Sequence, residues 1–124
     1  MKTSKILVVD DEPDVIYLTK MVLNGPEFEI TSAHNGEECF KIIESGERPD
    51  LILLDIMMPC ISGYDVCKKL KGSKKTKNLK ISFYSALPEE EIRKKMEEAG
   101  ADFYLEKSFE IDALKSKVKE MLAQ

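Results

Sequence analysis

Residues 50–59 of the chain read Asp-Leu-Ile-Leu-Leu-Asp-Ile-Met-Met-Pro, and this stretch indicates the fold of the whole chain. Four consecutive apolar residues, 51–54, run directly into Asp55. An unbroken apolar run of this length is typical of a strand buried on both faces, as found in parallel sheets that helices cover. In open parallel sheets the chemistry lies beyond the carboxyl ends of the strands. Asp55 therefore stands where a functional residue is expected.

Strands and amphipathic helices alternate along the rest of the chain. A second buried strand is predicted over residues 5–9, and further strands are predicted over residues 28–33, 79–84 and 102–105. A segment with helical spacing of apolar residues follows each strand. Five such units with short connections predict an α/β protein with a doubly wound, parallel five-stranded sheet and helices on both faces.

Local signals predict where several helices begin and which residues they bury. Asn35 and Glu38 have the spacing of a capping box. The first helix is expected to begin at Pro13, and its helical spacing places Leu18 on the buried face. The helix after Pro88 has only a thin apolar stripe, which predicts a position at the surface.

Length and composition limit the possible functions. The chain has 124 residues, 43% of them hydrophobic, which fits a single domain over residues 1–124 with no output domain. The net charge of −4 argues against direct nucleic-acid binding. No apolar stretch approaches the roughly 20 residues of a membrane helix. Three cysteines without metal-ligand spacing suit a reducing cytosol, so the expected location is cytoplasmic.

Polar side chains follow four of the five predicted strands, at Asp10-Asp11, Asp55, Ser85 and Lys107. The carboxyl ends of parallel strands share one edge of a sheet, so these groups can converge. Three neighbouring carboxylates repel one another, and Mg²⁺ relieves such repulsion. A lysine and a hydroxyl beside the metal are the groups that a phosphoryl group needs. A carboxylate is then the natural nucleophile, because neither Cys nor His is expected there.

These residues closely resemble the response-regulator receiver domain of two-component signalling, and the resemblance covers nearly the whole chain. It implies a flavodoxin-like sheet with the strand order 2-1-3-4-5. The matching residues are Asp10-Asp11, Asp55, Met58-Pro59, Gly63, Ser85-Ala86 and Lys107.

The resemblance also implies a phosphoacceptor and a metal site. Asp55 would accept a phosphoryl group from the phosphohistidine of a histidine kinase or a phosphotransfer protein. Mg²⁺ would be bound by Asp10, Asp11, Asp55 and the backbone carbonyl of Met57. On this basis the chain would assist its own phosphoryl transfer and dephosphorylation, without being an enzyme that acts on other substrates.

Three further residues would couple phosphorylation to a change of surface. By the resemblance, Lys107 would pair with the phosphoryl oxygens, Ser85 would swing toward them, and Tyr104 would turn inward behind Ser85. The remodelled surface would bind a downstream effector protein. The chain would act as a monomer or as a phosphorylation-dependent dimer.

The sequence departs from the family pattern at several positions. Ser108 stands where a proline commonly follows the lysine, and in the family that bond is often cis. A cis bond before a residue other than proline costs about 2.5–4 kcal/mol. Met57 and Leu87 are apolar at positions whose side chains help to set the lifetime of the acyl phosphate in the family. We therefore expect slow self-dephosphorylation.

Two other functions are compatible with parts of the sequence, and a lysine-rich segment has two interpretations. A receiver domain can dock a partner regardless of phosphorylation, although the intact acidic cluster argues against this. A Mg²⁺-dependent phosphatase with an aspartyl nucleophile usually has a second acid two residues later, where Met57 stands. The lysines between residues 68 and 80 are either a surface for an acidic partner or a solvated helix end and loop.

Overall fold

The computed structural model describes residues 3–107 and 111–124. Five strands alternate with five helices along the described chain: β1 Ser4–Val9, α1 Pro13–Val22, β2 Phe28–Ala33, α2 Gly36–Glu44, β3 Leu51–Leu54, α3 Gly63–Lys71, β4 Ile81–Ser85, α4 Glu89–Ala99, β5 Phe103–Glu106 and α5 Ile111–Ala123. All strand pairs are parallel, and the order is β2-β1-β3-β4-β5. The predicted fold class and strand order are both confirmed.

The central strand β3 separates two hydrophobic cores. All four of its residues are 0% exposed, as the unbroken apolar run predicted. Side chains alternate between the faces of a strand. Leu51 and Leu53 therefore pack in the core beneath α1 and α5. Ile52 and Leu54 pack in the other, beneath α2, α3 and α4.

The buried face of α1 differs from the prediction. Leu18 is 44% exposed, and Thr19 is buried instead. The Thr19 hydroxyl donates a hydrogen bond of 2.7 Å to the carbonyl oxygen of Val15, one turn earlier. Because its polar group is satisfied within the helix, threonine can be buried without the cost of an unpaired hydroxyl. The prediction for Leu18 was wrong because hydrophobicity alone does not reveal this bond.

The start of α2 confirms the predicted cap in a modified form. Oδ1 of Asn35 accepts a hydrogen bond of 2.8 Å from the backbone N–H of Glu38. The Glu38 carboxylate accepts from the backbone N–H of His34 rather than that of Asn35. Helix α4 includes two buried apolar residues, Ile92 and Ala99, on an otherwise largely exposed helix, as its thin stripe predicted.

Ser108 and its peptide bond to Lys107 lie outside the described residues, so the expectation about that bond stays a prediction. Among the described helices, none has the length and apolar character needed to cross a membrane.

Candidate functional site

Backbone hydrogen bonds extend the parallel ladder one residue beyond the strands and fix the predicted site residues. The N–H of Asp55 donates to the carbonyl of Val9 at 3.0 Å, so Asp55 is held beside the end of β1. At the end of the β4–β5 pair, the N–H of Lys107 donates to the carbonyl of Ser85 at 2.8 Å. Asp10 follows Val9 directly. The polar residues at the carboxyl ends of β1, β3, β4 and β5 therefore share one edge of the sheet, as predicted.

Three carboxylates meet at this edge. Asp10, Asp11 and Asp55 each offer a carboxylate oxygen, and these oxygens lie within 4.8 Å of one another. Asp10 is 0% exposed and Asp55 is 4% exposed. Oδ1 of Asp10 accepts a hydrogen bond of 2.9 Å from the N–H of Glu12. Oδ2 of Asp10 is buried and faces the ammonium of Lys107 at 2.6 Å. Three hard carboxylate oxygens gathered in this way are suited to a cation such as Mg²⁺.

A lysine lies against this acidic cluster. Nζ of Lys107 is 2.6 Å from Oδ2 of Asp10 and 3.5 Å from Oδ2 of Asp55, and the lysine side chain is only 6% exposed. Burial acts to lower the pKa of the ammonium, but the two carboxylates outweigh it and the pKa is raised. Lys107 is therefore a fixed positive charge. The shorter distance shows that it is paired mainly with Asp10.

The negative charge of Asp55 is less well compensated by Lys107 than that of Asp10, the other buried acid. Burial raises its pKa from 3.8 to about 6, against the lowering effect of Lys107, and the negative charge of Asp10 raises it further. Its Oδ1 accepts a long hydrogen bond of 3.4 Å from the N–H of Met57. A carboxylate in this position has an increased affinity for a proton or another electrophile.

The hydroxyl groups of Ser85 and Tyr104 form hydrogen bonds with residues outside the acidic cluster. Ser85 is 1% exposed, and its Oγ accepts a hydrogen bond of 3.2 Å from the N–H of Leu87. The Tyr104 hydroxyl donates a bond of 2.7 Å to Oε1 of Glu89, and this bond raises the pKa of the phenol. Sequence patterns did not identify Glu89, because the contact depends on how α4 lies against β5.

Gly63 makes the closest backbone approach to the site. A Cβ atom at this position would lie 1.8 Å from the carbonyl oxygen of Asp55. The N–H of Gly63 donates a hydrogen bond of 2.8 Å to the carbonyl of Ile56. The first residue of α3 thus packs directly on the backbone that carries Asp55, and only glycine fits there.

A known protein family matches most of the chain. The family model of the response regulator receiver domain matches residues 6–119. The chain belongs to this family. Phosphorylation switching within two-component systems is the general role of receiver domains. The resemblance inferred from the residues at the strand ends is confirmed.

Individual relatives agree with this assignment. The alkaline phosphatase synthesis transcriptional regulatory protein PhoP of Bacillus subtilis is 38% identical over 95% of this chain and 48% of its own length. The chain therefore spans about half the length of such curated relatives.

Solved structures are similar over almost the whole chain. A putative response regulator from Chloroflexus aurantiacus is 35% identical with a TM-score of 0.90, and the match covers 99% of this chain and 100% of that one. The response regulator TrrA from Thermotoga maritima, in complex with Mg²⁺ and BeF, is 43% identical with a TM-score of 0.83. That match covers 96% of this chain and 99% of TrrA.

Proposed function

We propose that Asp55 accepts a phosphoryl group from the phosphohistidine of a histidine kinase or a phosphotransfer protein. The observation that carries this proposal is the pairing of Lys107 with Asp10, which leaves the buried Asp55 carboxylate poorly compensated. The ammonium of Lys107, 3.5 Å from Asp55, can also neutralise the oxygens of an incoming phosphoryl group. The acidic cluster would bind Mg²⁺ as the required cofactor.

The reaction is a direct transfer between two nucleophiles. A carboxylate oxygen of Asp55 attacks phosphorus, an O–P bond forms, and the N–P bond of the donor breaks with its electron pair returning to the imidazole nitrogen. Lys107 pairs with the phosphoryl oxygens. Mg²⁺, held by Asp10, Asp11, Asp55 and the Met57 carbonyl, would supply further positive charge there.

Phosphorylation would then change the surface of the protein. The new group adds a charge of about −1.5 to −2 to a buried acidic site. We propose that Ser85 gives up its bond from the Leu87 N–H and turns toward the phosphoryl oxygens, and that Tyr104 moves in behind it. The segments that shift, between β4 and α5, would form the surface for a downstream effector protein.

The chain is proposed to act in the cytoplasm, either as a monomer or as a phosphorylation-dependent dimer. Its partners are proteins, and neither nucleic acid nor membrane is proposed as a direct partner. Chemically the chain is a phosphoacceptor that assists its own modification.

Intact-protein mass spectrometry tests this function. The protein is incubated with Mg²⁺ and either acetyl phosphate or phosphoramidate, whose P–N bond mimics phosphohistidine. We expect one added phosphoryl group, lost in Asp55→Ala and in the presence of a chelator. Asp14→Ala, which removes an exposed acid from α1, should leave the adduct unchanged. Absence of the adduct, with Mg²⁺ binding shown separately, would contradict the proposal and favour phosphorylation-independent docking.

A further inference from the structure

A side-chain hydrogen bond connects the segments that carry two of the proposed phosphoryl contacts, Ser85 and Lys107. The Tyr104 hydroxyl donates to Oε1 of Glu89 at 2.7 Å. Glu89 is the first residue of α4 and lies four residues after Ser85. Tyr104 lies on β5, three residues before Lys107. A movement of the segment between Ser85 and α4 away from β5 would therefore stretch or break this bond.

We propose that Glu89 is a positioning residue that holds Tyr104 against α4 and thereby opposes the rearrangement that follows phosphorylation of Asp55. The inference rests on the proposed function of Asp55, because it concerns the regulation of that same site. The bond is made in the arrangement where the Ser85 hydroxyl accepts from the backbone N–H of Leu87. Its loss should make the alternative arrangement easier to reach.

The electrostatics of the contact agree with this role. A phenol that donates to a carboxylate forms a charge-assisted hydrogen bond, which is stronger than a neutral one. The raised pKa of Tyr104 has this bond as its main cause, whereas Arg93 on the same helix acts in the opposite direction. Glu89 is exposed, so solvent limits the strength of the contact. A modest bias of this kind suits a contact that must break during switching.

Tyr104 also has room to move. Its half-buried ring and the Glu89 side chain both line a cavity of about 450 Å³ between β5 and α5. Leu114 and Lys117 of α5 form part of the opposite wall. The ring packs against the hydrophobic core as well as bordering this space, and the hydroxyl bond to Glu89 restrains its orientation.

A mutant cycle measures the effect on phosphorylation. Initial rates of modification by acetyl phosphate with Mg²⁺ are compared for Glu89→Ala, Tyr104→Phe and the double variant. Each single variant should be modified about twofold to tenfold faster, the range expected for loss of one hydrogen bond. The double variant should be no faster than the singles, because both remove the same bond. Glu90→Ala removes an equally exposed acid from the same turn and should match the wild-type rate.

A second readout follows the contact without phosphorylation. With tyrosines labelled at the ζ carbon, Tyr104 is assigned by the signal that Tyr104→Phe loses. We expect Glu89→Ala to shift this signal and lower the pKa of Tyr104, and Glu90→Ala to leave both unchanged.

The outcomes separate the two proposals. A Tyr104 signal that is the same in Glu89→Ala and in the wild type overturns the contact. A shifted signal with equal rates for Glu89→Ala and Glu90→Ala overturns the positioning role, while the Asp55 adduct still supports the proposed function. If neither the wild type nor any variant forms an adduct, the proposed function fails and the inference fails with it.

Discussion

Lys107 and Asp10 form a buried ion pair in which Nζ lies 2.6 Å from Oδ2. Both side chains are almost fully shielded from solvent, at 6% and 0% exposure. The net contribution of such a pair to folding is small, but removal of one partner leaves an uncompensated buried charge. At this site the effect is larger, because the same lysine also offsets the charge of Asp55 at 3.5 Å.

The Lys107→Met variant should therefore be strongly destabilised in the absence of metal. We expect the free energy of unfolding at pH 7 to fall by about 3 kcal/mol or more, and Mg²⁺ to restore part of the loss. Urea denaturation with and without Mg²⁺ measures both effects. Lys115→Met is the control, because Lys115 pairs with Glu27 at 3.1 Å on the surface. Equal losses in the two variants would contradict the argument.

The negative charge of Asp55 should lower the free energy of unfolding of the metal-free protein at neutral pH. Its folded-state pKa is about 6, above the ordinary value of 3.8, so ionisation is less favourable in the folded state. The penalty is absent below pH 3.8, grows as the pH rises to 6, and is complete above it. A shift of this size corresponds to about 2–3 kcal/mol.

The Asp55→Asn variant should therefore unfold at higher urea concentration than the wild type at pH 7.5 with a chelator present. Its advantage should decline as the pH falls from 6 toward 4, because the wild-type carboxyl becomes neutral. Added Mg²⁺ should stabilise the wild type more than the variant, since a metal ligand has been removed. A variant that is less stable than the wild type at pH 7.5 without metal would show that the Asp55 charge does not destabilise the folded state.

Gly63 and Gly36 offer a test of the close approach at the site. In Gly63→Ala the new Cβ would meet the backbone carbonyl of Asp55 at 1.8 Å, and no side-chain rotation can relieve that clash. In Gly36→Ala the Cβ would meet Cγ2 of Val66 at 2.9 Å, which a small side-chain adjustment can relieve. We expect Gly63→Ala to lose about 3 kcal/mol or more of stability, and Gly36→Ala clearly less.

Loss of Mg²⁺ affinity should accompany only the Gly63 substitution, because of these two glycines only Gly63 packs on the backbone of Asp55. Isothermal titration with Mg²⁺ on the folded variants measures this. Equal affinities in Gly63→Ala and the wild type would show that the loop can move without disturbing the acids.

Features of the fold that depend on the local order of apolar and polar residues were predictable from the sequence. The apolar run before Asp55 predicted a strand buried on both faces, and that strand sets where the carboxylate lies. Thr19 and Glu89 were not predictable in this way. Burial of Thr19 depends on a bond within its own helix, and the contact of Glu89 with Tyr104 depends on how α4 packs against β5. Hydrophobic periodicity contains neither kind of information.

The side chains beside Asp55 predict a long-lived acyl phosphate. Met57 is 63% exposed, and Leu87 is partly buried just before α4. Neither side chain can accept a hydrogen bond from an attacking water molecule in the way that a polar residue does. Hydrolysis of the phosphorylated protein should therefore be slow, and loss of the adduct within seconds would contradict this.

Met57→Asn should shorten the lifetime of the phosphorylated protein severalfold, because an amide at this position can orient water toward phosphorus. Mass spectrometry of the isolated adduct over time measures the decay. Met21→Asn is a matched control, because Met21 is also exposed, at 58%, but lies on α1. If both asparagine variants decay at the same rate, Met57 does not control access of water to the phosphoryl group. The lifetime would then have to be set by the buried residues around Asp55.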